Sequence, residues 1–256
     1  MFTRAIVRQP STNFASGLTS VDLGPPVFER ALRQHQAYCE ALEFCGLDLI
    51  RLPPDDKYPD STFVEDTAVL TARGAVVTRP GAKSRLGETE AIPPVLRRYY
   101  DELHSIREPG TVDGGDVCEA GEHFFIGVSR RTNEEGAKQL ARLLDSFGYS
   151  SSLIDIRGLS NILHLKSGLA YVGGKHLLVI EALRGLKEFC GYDLICLNSA
   201  EEYAANCLSL NSRVLVAAGF NETKKELERL GYQTIALDIS EFQKMDGGLS
   251  CLSLRF

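Results

Sequence analysis

The residue most able to do chemistry lies near the end of the chain. The segment 246–256 is Asp-Gly-Gly-Leu-Ser-Cys-Leu-Ser-Leu-Arg-Phe, so Cys251 follows a Gly-Gly pair. From Leu249 onward, polar and apolar residues mostly alternate, as they do on a half-buried strand. Gly247 and Gly248 accept backbone angles that other residues avoid and let a ligand approach closely. Cys251 is therefore a candidate nucleophile at the start of a strand, if a histidine and a carboxylate accompany it. The alternative interpretation is that Cys251 is a small, buried residue that behaves as an apolar side chain.

A histidine that could serve this thiol is His164, one of five in the chain. Its segment is largely apolar, so a buried, hydrogen-bonded core histidine is one interpretation. The other is a general acid and base, because an imidazole titrates near neutral pH. Asp113 and Asp116 flank Gly114-Gly115, a composition that is typical of turns. In the functional interpretation, a carboxylate of this pair orients His164 and contacts a cationic substrate.

A second group of charged residues lies earlier in the chain. Asp60, Glu65 and Asp66 lie in a β-like stretch, where Asp is disfavoured. A solvated face explains Asp60 more easily than it explains the adjacent pair. Arg85, in a loop next to glycine, and Arg131, before a helix, are able to form forked hydrogen bonds with a carboxylate. Taken alone, each arginine is more typical of a surface charge.

Composition limits the class of protein. The chain has 256 residues with 44% hydrophobic and 24% charged, which are ordinary values for a globular protein. A net charge of −6 argues against a general nucleic-acid binder and is compatible with a cationic ligand. We find no apolar run near bilayer length and no signal-peptide core near Met1. Seven scattered cysteines without paired spacing favour reduced thiols over a disulfide framework or a zinc site. We therefore expect a soluble, cytoplasmic protein without a membrane anchor, a metal or another cofactor.

The order of predicted elements repeats along the chain. Between residues 63 and 238 we predict four β-β-α-β units, each a hairpin followed by a helix and a strand. A fifth unit is completed by pairing the two ends of the chain. The predicted elements include the hairpin 63–71 and 75–79, a helix over 88–100, a strand over 163–172, a helical segment over 181–189, and the terminal strands 5–8 and 250–256.

Five such units describe a closed ring, which removes open sheet edges and gathers loops around an axis. The corresponding end of each first hairpin strand then faces the axis, which brings Cys251, His164 and the acids together. A doubly wound α/β fold is the competing prediction, because strands alternate with helices. The hairpin in every unit counts against it.

Six motifs together resemble the dimethylargininase (dimethylarginine dimethylaminohydrolase) family of the guanidino-group-modifying superfamily. They are Phe63-Val64-Glu65-Asp66, Thr-Arg-Pro-Gly-Ala-x-Ser-Arg-x-Gly-Glu at 78–88, Gly-Thr-Val-Asp-Gly-Gly-Asp at 110–116, Arg-Thr-Asn at 131–133, Leu-His-Leu-Lys at 163–166 and Asp-Gly-Gly-x-Ser-Cys at 246–251. The resemblance runs from near residue 3 to residue 256. It implies a single catalytic domain over 1–256 with the family's five-bladed α/β propeller (pentein) fold.

The resemblance also implies an activity, the hydrolysis of Nω-methylated arginines to citrulline and methylamine or dimethylamine. Cys251 would attack the guanidinium carbon and form a covalent thiouronium intermediate. His164 would protonate the leaving amine and then activate water, with Asp113 as the third catalytic residue. Some bacterial relatives carry Glu at the position of Asp113. The guanidinium carbon is a poor electrophile, so a soft thiolate is a suitable nucleophile. Both the bound cation and protonated His164 would favour the thiolate form of Cys251.

The substrate-binding residues are implied in the same way. Glu65 and Asp66 would bind the guanidinium. The amino-acid end would contact Asp60, Arg85, Arg131 and the backbone near Leu18 and Met245. Leu18 lies in a loop that covers the substrate in the family.

Two alternatives stay open. One is a deiminase acting on free arginine or another guanidine, although this chain lacks the inserted helical domain typical of arginine deiminases. The other is a non-catalytic propeller, like the ribosome anti-association factor of this architecture, which has no reason to hold Cys251, His164 and Asp113 at equivalent positions. The expected partner is a small-molecule methylarginine rather than nucleic acid or a membrane, and the protein would be a monomer or a homodimer. An inhibitory zinc on Cys251 and His164 follows by analogy only.

Overall fold

The computed structural model describes residues 1–159 and 161–256 of the chain. Within these residues the strands form five three-stranded sheets. In each sheet the middle strand is antiparallel to one neighbour and parallel to the other. A hairpin gives an antiparallel pair and a crossover gives a parallel one, so this is the pattern that β-β-α-β units produce. The predicted repeat is therefore confirmed at the level of the individual sheets.

The first sheet joins the two ends of the chain. It contains β1 (Arg4–Arg8), β2 (Asp48–Leu52) and, from the other end, β15 (Ser253–Arg255). Ile6 lies opposite Leu254 in the antiparallel pair, which confirms the predicted pairing of the terminal strands. The other sheets are built from consecutive strands: β3 (Ala68–Leu70), β4 (Ala75–Val77) and β5 (Leu103–Ser105); β6 (Val117–Ala120), β7 (His123–Val128) and β8 (Ser150–Asp155); β9 (Leu169–Gly173), β10 (His176–Ile180) and β11 (Asp193–Leu197); β12 (Leu208–Leu210), β13 (Arg213–Ala217) and β14 (Gln233–Leu237).

In chain order the α-helices are α1 (Phe28–Phe44), α2 (Pro93–Leu96), α3 (Glu134–Ser146), α4 (Asn221–Arg229) and α5 (Ser240–Gln243). The helices α1 to α4 connect the middle and third strands of four sheets, and α5 lies between β14 and β15.

Two predicted helices are wrong in type. The helix over 88–100 is a 3₁₀ segment, Lys83–Ala91, followed by the single turn of α2, because Pro93 and Pro94 cannot continue a helix that began before them. The segment 181–189 is two 3₁₀ turns separated by Gly185, a residue that disfavours helix.

Three predicted strands begin too early, and all for one reason. The strands expected from residues 63, 163 and 250 begin with a short 3₁₀ turn and pair only afterwards. The same turn precedes the first hairpin strand in every unit. We name these turns 1 to 5: Val64–Thr67, Gly114–Asp116, Leu165–Ser167, Glu202–Ala205 and Ser250–Leu252. Alternating sequence does not reveal such a turn, because three residues are too few to show a helical period.

The five turns lie against one another. Turn 1 contacts turns 2 and 5, turn 2 contacts turn 3, and turn 3 contacts turn 4. Turns 4 and 5 are joined by Asn206, whose side chain bonds to the backbone and the hydroxyl of Ser250. Residues that are far apart in the sequence therefore meet at one place in the fold.

The apolar core extends to the turns, since Val64, Leu165 and Leu252 belong to its clusters. Buried apolar side chains form four clusters between the sheets and the helices, and the middle strands supply fully buried residues such as Leu177 and Val216. Burying one such side chain stabilises the fold by about 1.5–3 kcal/mol. In the part of the chain that the structure describes, no helix is both long and apolar enough to cross a bilayer.

Candidate active site

The turns carry most of the residues that the sequence singled out. Turn 1 contains Glu65 and Asp66, turn 2 begins directly after Asp113, and turn 3 begins directly after His164. Cys251 is the middle residue of turn 5. The repeat thus places a thiol, an imidazole and several carboxylates on neighbouring turns.

Cys251 lies on a 3₁₀ turn rather than at the start of a strand, which corrects the prediction. Its half-buried Sγ accepts a hydrogen bond of 3.4 Å from the backbone N–H of Gly248. The Gly-Gly pair serves close packing: a side chain on Gly247 would overlap the ring of Phe63, and one on Gly248 would overlap Asn206. The left-handed backbone expected at a glycine occurs instead at Asp246, with φ 56°.

The thiol of Cys251 is strongly disfavoured as a thiolate in the free protein. Burial, and then the negative charges of Glu65 and Asp66, raise the pKa of Cys251 to about 12. The expected help from a bound cation is therefore needed, because at neutral pH the sulfur is protonated without it.

His164 is buried and bonds to Asp113. The ring Nε2 lies 2.9 Å from Asp113 Oδ2. Burial opposes the charged imidazole, but the nearby carboxylates, chiefly that of Asp66, outweigh it and raise the pKa of His164 to about 9. Asp113 is also fully buried, yet the bond from His164 keeps its pKa below the ordinary value. The pair is an imidazolium and a carboxylate at neutral pH, and Nδ1 is the ring nitrogen left for other chemistry.

Asp113 and Asp116 are paired in the sequence analysis, but the two carboxylates have different hydrogen-bond partners. Asp116 does not bond to the imidazole; its Oδ1 accepts the backbone N–H of Leu165 at 2.9 Å, and its Oδ2 accepts the hydroxyl of Ser129 at 2.7 Å. Burial raises the pKa of Asp116 to about 6. Asp116 therefore fixes the start of turn 3, next to His164.

Asp66 and Arg85 form a buried ion pair. Arg85 Nη1 lies 2.6 Å from Asp66 Oδ2, while Nε and Nη2 of Arg85 bond to Glu88 at 2.8–3.1 Å. Asp66 Oδ1 accepts the N–H of Gly115 at 2.8 Å. The interpretation of Arg85 as a surface charge is wrong, since only 5% of it is exposed. Sequence reasoning missed Glu88; its position one turn after Arg85 was the available signal.

The loop around Leu18 is tied to the site by Asp60. Both carboxylate oxygens of Asp60 accept the backbone N–H of Leu18, at 3.0 and 3.2 Å. A side chain on Gly17 would overlap Asp60 and press on Met245. Leu18 itself is 41% exposed, whereas Asp60 and Met245 are buried. Leu18, Asp60 and Met245 are therefore neighbours in the structure.

Arg131 presents a buried donor that finds no partner among the described residues. Its Nη1 is shielded from solvent and makes no hydrogen bond. Its backbone N–H is fixed by the hydroxyl of Ser129 at 2.9 Å. An unsatisfied buried guanidinium donor is costly, so the position fits an anionic ligand group such as a carboxylate.

Glu65 lies in a different environment from Asp66. Its Oε1 lies 2.6 Å from Lys166 Nζ and 2.8 Å from Arg255 Nη2, and its Oε2 accepts the hydroxyl of Ser250 at 2.7 Å. Glu65 is only 3% exposed.

One carboxylate oxygen each of Asp66 and Asp113 and a ring nitrogen of His164 lie within 4.8 Å of one another. That spacing could hold a metal ion. However, His164 Nε2 is occupied by Asp113, and both oxygens of Asp66 accept internal hydrogen bonds. The carboxylate oxygens of Asp66 and Asp113 and the ring nitrogen of His164 therefore suit a cationic organic group better than a metal ion.

Comparison with known proteins identifies the relatives of this chain. It is 46% identical to N(G),N(G)-dimethylarginine dimethylaminohydrolase of Pseudomonas aeruginosa over 257 residues, which covers 100% of both chains. It is 36% identical to the enzyme of the same name from Streptomyces coelicolor, covering 98% of this chain and 96% of that one. No protein-family model matches the chain.

Solved structures agree with the sequence comparison. The structure of a cysteine-to-serine variant of the Pseudomonas aeruginosa protein, complexed with citrulline, superposes with a TM-score of 0.97 at 46% identity over 100% of both chains. The chain has five three-stranded sheets with a cysteine, a histidine and carboxylates on or beside equivalent turns, which is the arrangement that the resemblance to the guanidino-group-modifying class led us to expect. Within that class, the chain belongs to the dimethylarginine dimethylaminohydrolase family.

The contacts of Asp116 predict that it acts on the reaction only through His164. Asp116→Asn removes a negative charge near the imidazole and weakens one bond that fixes turn 3. We expect the pKa of His164 to fall below its value of about 9 and kcat to fall roughly 10-fold. NMR titration of His164 and steady-state kinetics measure the two effects. Asp145→Asn, a change at an exposed aspartate, is the control; an unchanged His164 titration in Asp116→Asn would contradict the assignment.

Proposed function

We propose that the chain hydrolyses Nω-methylated arginines, giving citrulline and methylamine or dimethylamine. The observation that carries this proposal is the buried Asp66 carboxylate beside the His164–Asp113 pair, on a turn in contact with the turn that bears Cys251. A carboxylate is the natural partner of a guanidinium, and the thiol and imidazole supply the groups that its hydrolysis needs. The family of the chain supports the same activity.

The first half of the reaction forms a covalent bond to sulfur. The guanidinium enters beside Asp66, and its positive charge offsets the field that keeps the Cys251 thiol protonated. The thiol gives its proton to solvent water, because His164 is already protonated, and Sγ bonds to the guanidinium carbon. The C–N bond to the methylated nitrogen then breaks, with His164 giving its proton to the leaving amine. The product of this half is an S-alkylthiouronium on Cys251.

The second half restores the enzyme. Neutral His164 takes a proton from water, and the water oxygen bonds to the same carbon. The C–S bond then breaks, and the added hydroxyl gives its proton to the leaving sulfur, which releases citrulline and restores the Cys251 thiol beside protonated His164. Asp113 stabilises the imidazolium whenever it forms and is the third catalytic residue of this proposal.

The amino-acid end of the substrate lies toward Asp60 and Arg131 in this proposal. Arg131 Nη1 is the unsatisfied donor suited to the α-carboxylate. Asp60, with the backbone near Leu18 and Met245, is suited to the α-amino group. Arg85 contributes through Asp66 and Asp60, since its own donors already bond to carboxylates and backbone oxygens. The family resemblance also supports a role for Glu65 at the guanidinium.

We further propose that the five sheets close into a five-bladed α/β propeller as one domain over residues 1–256. The contacts between successive turns and the pairing of β1 with β15 support this closure. The seven free thiols support a cytoplasmic location. The partner is a small molecule, without nucleic acid or membrane, and the protein is a monomer or a homodimer.

Parallel assays with asymmetric dimethylarginine, monomethylarginine and arginine test the activity. We expect citrulline from both methylated substrates, well above that from arginine, and none from Cys251→Ser, a substitution of one atom. Circular dichroism confirms that the variant is folded. Faster turnover of arginine would make the protein a deiminase, and no turnover of all three would favour another guanidine or the non-catalytic propeller.

The unsatisfied donor of Arg131 predicts how the carboxylate is bound. Arg131→Gln should raise KM for dimethylarginine roughly 10-fold or more, because a bond between charged groups contributes about 1.5–3 kcal/mol. It should leave unchanged the KM for a dimethylguanidine on a plain alkyl chain, measured by release of dimethylamine. Arg130→Gln, at the exposed neighbouring arginine, is the matched control. Equal effects of Arg131→Gln on the two substrates would contradict the assignment.

A further inference from the structure

Ser250, directly before Cys251, is held on two sides. Its backbone N–H bonds to Asn206 Oδ1 at 2.9 Å, and its hydroxyl bonds to Glu65 Oε2 at 2.7 Å. Asn206 Nδ2 also donates to the hydroxyl at 3.1 Å. All three side chains are buried, with 3–6% exposed. The turn that carries the thiol is therefore fixed by Glu65 from turn 1 and by Asn206 after turn 4.

Asn206 links this turn to the one that follows His164. Its Nδ2 donates to the backbone oxygen of Lys166, in turn 3, at 3.0 Å. It fits there because Gly248 has no side chain, and a Cβ at that position would overlap the Asn206 amide. One amide group thus bridges the backbones next to the thiol and next to the imidazole.

Glu65 has little capacity left for a substrate cation. Its Oε1 is shared by the ammonium of Lys166 and the guanidinium of Arg255, which fill both acceptor positions of that oxygen. Its Oε2 holds Ser250. A substrate guanidinium would find one free acceptor position, on Oε2, and could reach Oε1 only by displacing one of two cations that are themselves largely buried. Asp66 differs, because each of its oxygens accepts a single bond from the protein.

We infer that Glu65, Ser250 and Asn206 form a clamp of positioning residues that fixes Cys251 relative to His164. Glu65 acts on the reaction through Ser250, and Asp66 is the carboxylate that contacts the guanidinium. The inference rests on the proposed function for its substrate, and it reassigns Glu65 from the substrate to the nucleophile's turn.

The charge of Glu65 gives a way to distinguish positioning of Cys251 from a change in its pKa. The charge of Glu65 contributes to the raised pKa of Cys251, so Glu65→Gln makes the thiol more acidic. If the charge alone mattered, turnover near neutral pH would rise. If position matters, turnover falls although the thiol has become easier to ionise. The two effects have opposite signs and can be separated by measuring both.

The decisive experiment separates binding from turnover. In the Cys251→Ser background, calorimetry measures Kd for dimethylarginine with and without Glu65→Gln, and Asp66→Asn is the matched control. We expect Kd to change less than about twofold for Glu65→Gln and more than about tenfold for Asp66→Asn. In the active background, Glu65→Gln and Ser250→Ala each lower kcat about tenfold, and the double variant is little worse than either one. A tenfold weaker Kd for Glu65→Gln, or full additivity, would overturn the clamp.

Ser250→Ala keeps the experiment informative if Glu65→Gln fails to fold. It removes only the bridging hydroxyl and leaves the ion pairs of Glu65 with Lys166 and Arg255 intact. Alkylation of Cys251 by iodoacetamide then gives a readout that needs no substrate. We expect the freed thiol of Ser250→Ala to react several times faster than that of the wild type. Unchanged alkylation and unchanged kcat would overturn the clamp, whereas absence of turnover in the wild type would refute the proposed function alone.

Discussion

The cost of burying negative charge is the constraint on which the site depends. Six carboxylates are buried among the described residues around turns 1 to 3: Asp60, Glu65, Asp66, Glu88, Asp113 and Asp116. An uncompensated buried carboxylate costs several kcal/mol, so each needs a cation, hydrogen-bond donors or a proton. The four cationic partners are Arg85, His164, Lys166 and Arg255. These cations are fewer than the carboxylates, and Arg85 is shared by Asp66 and Glu88. Burial therefore raises the pKa of Asp116 to about 6 and that of Glu88 to about 7.

The same constraint links substrate binding to activation of the nucleophile. A site with more buried carboxylates than nearby cations attracts a guanidinium, and it also keeps the thiol of Cys251 protonated while the site holds no cation. The arriving cation relieves both conditions together. In the proposed reaction the Cys251 thiol is therefore easier to ionise when the substrate cation is bound.

Sequence reasoning could predict the repeat, the pairing of the chain ends and the end of each first hairpin strand as the place for chemistry, because hairpin and helix periods recur along the chain. It could not find the 3₁₀ turns before the strands, since Ser250–Leu252 alternates like a strand. It also treated Asp113 with Asp116, and Glu65 with Asp66, as alike. Adjacent acids carry the same sequence signal, but the partners that distinguish them, such as Leu165 and Arg255, come from distant segments.

The most direct test of this account is to trap the covalent intermediate. The protein is mixed with dimethylarginine, quenched in acid within milliseconds, digested and analysed by mass spectrometry. The account predicts that the peptide containing Cys251 gains the mass of the substrate less dimethylamine, and that the other six cysteines stay unmodified. Citrulline formed at the normal rate with no adduct on Cys251, at any quench time, would contradict it, because water would then attack the guanidinium directly.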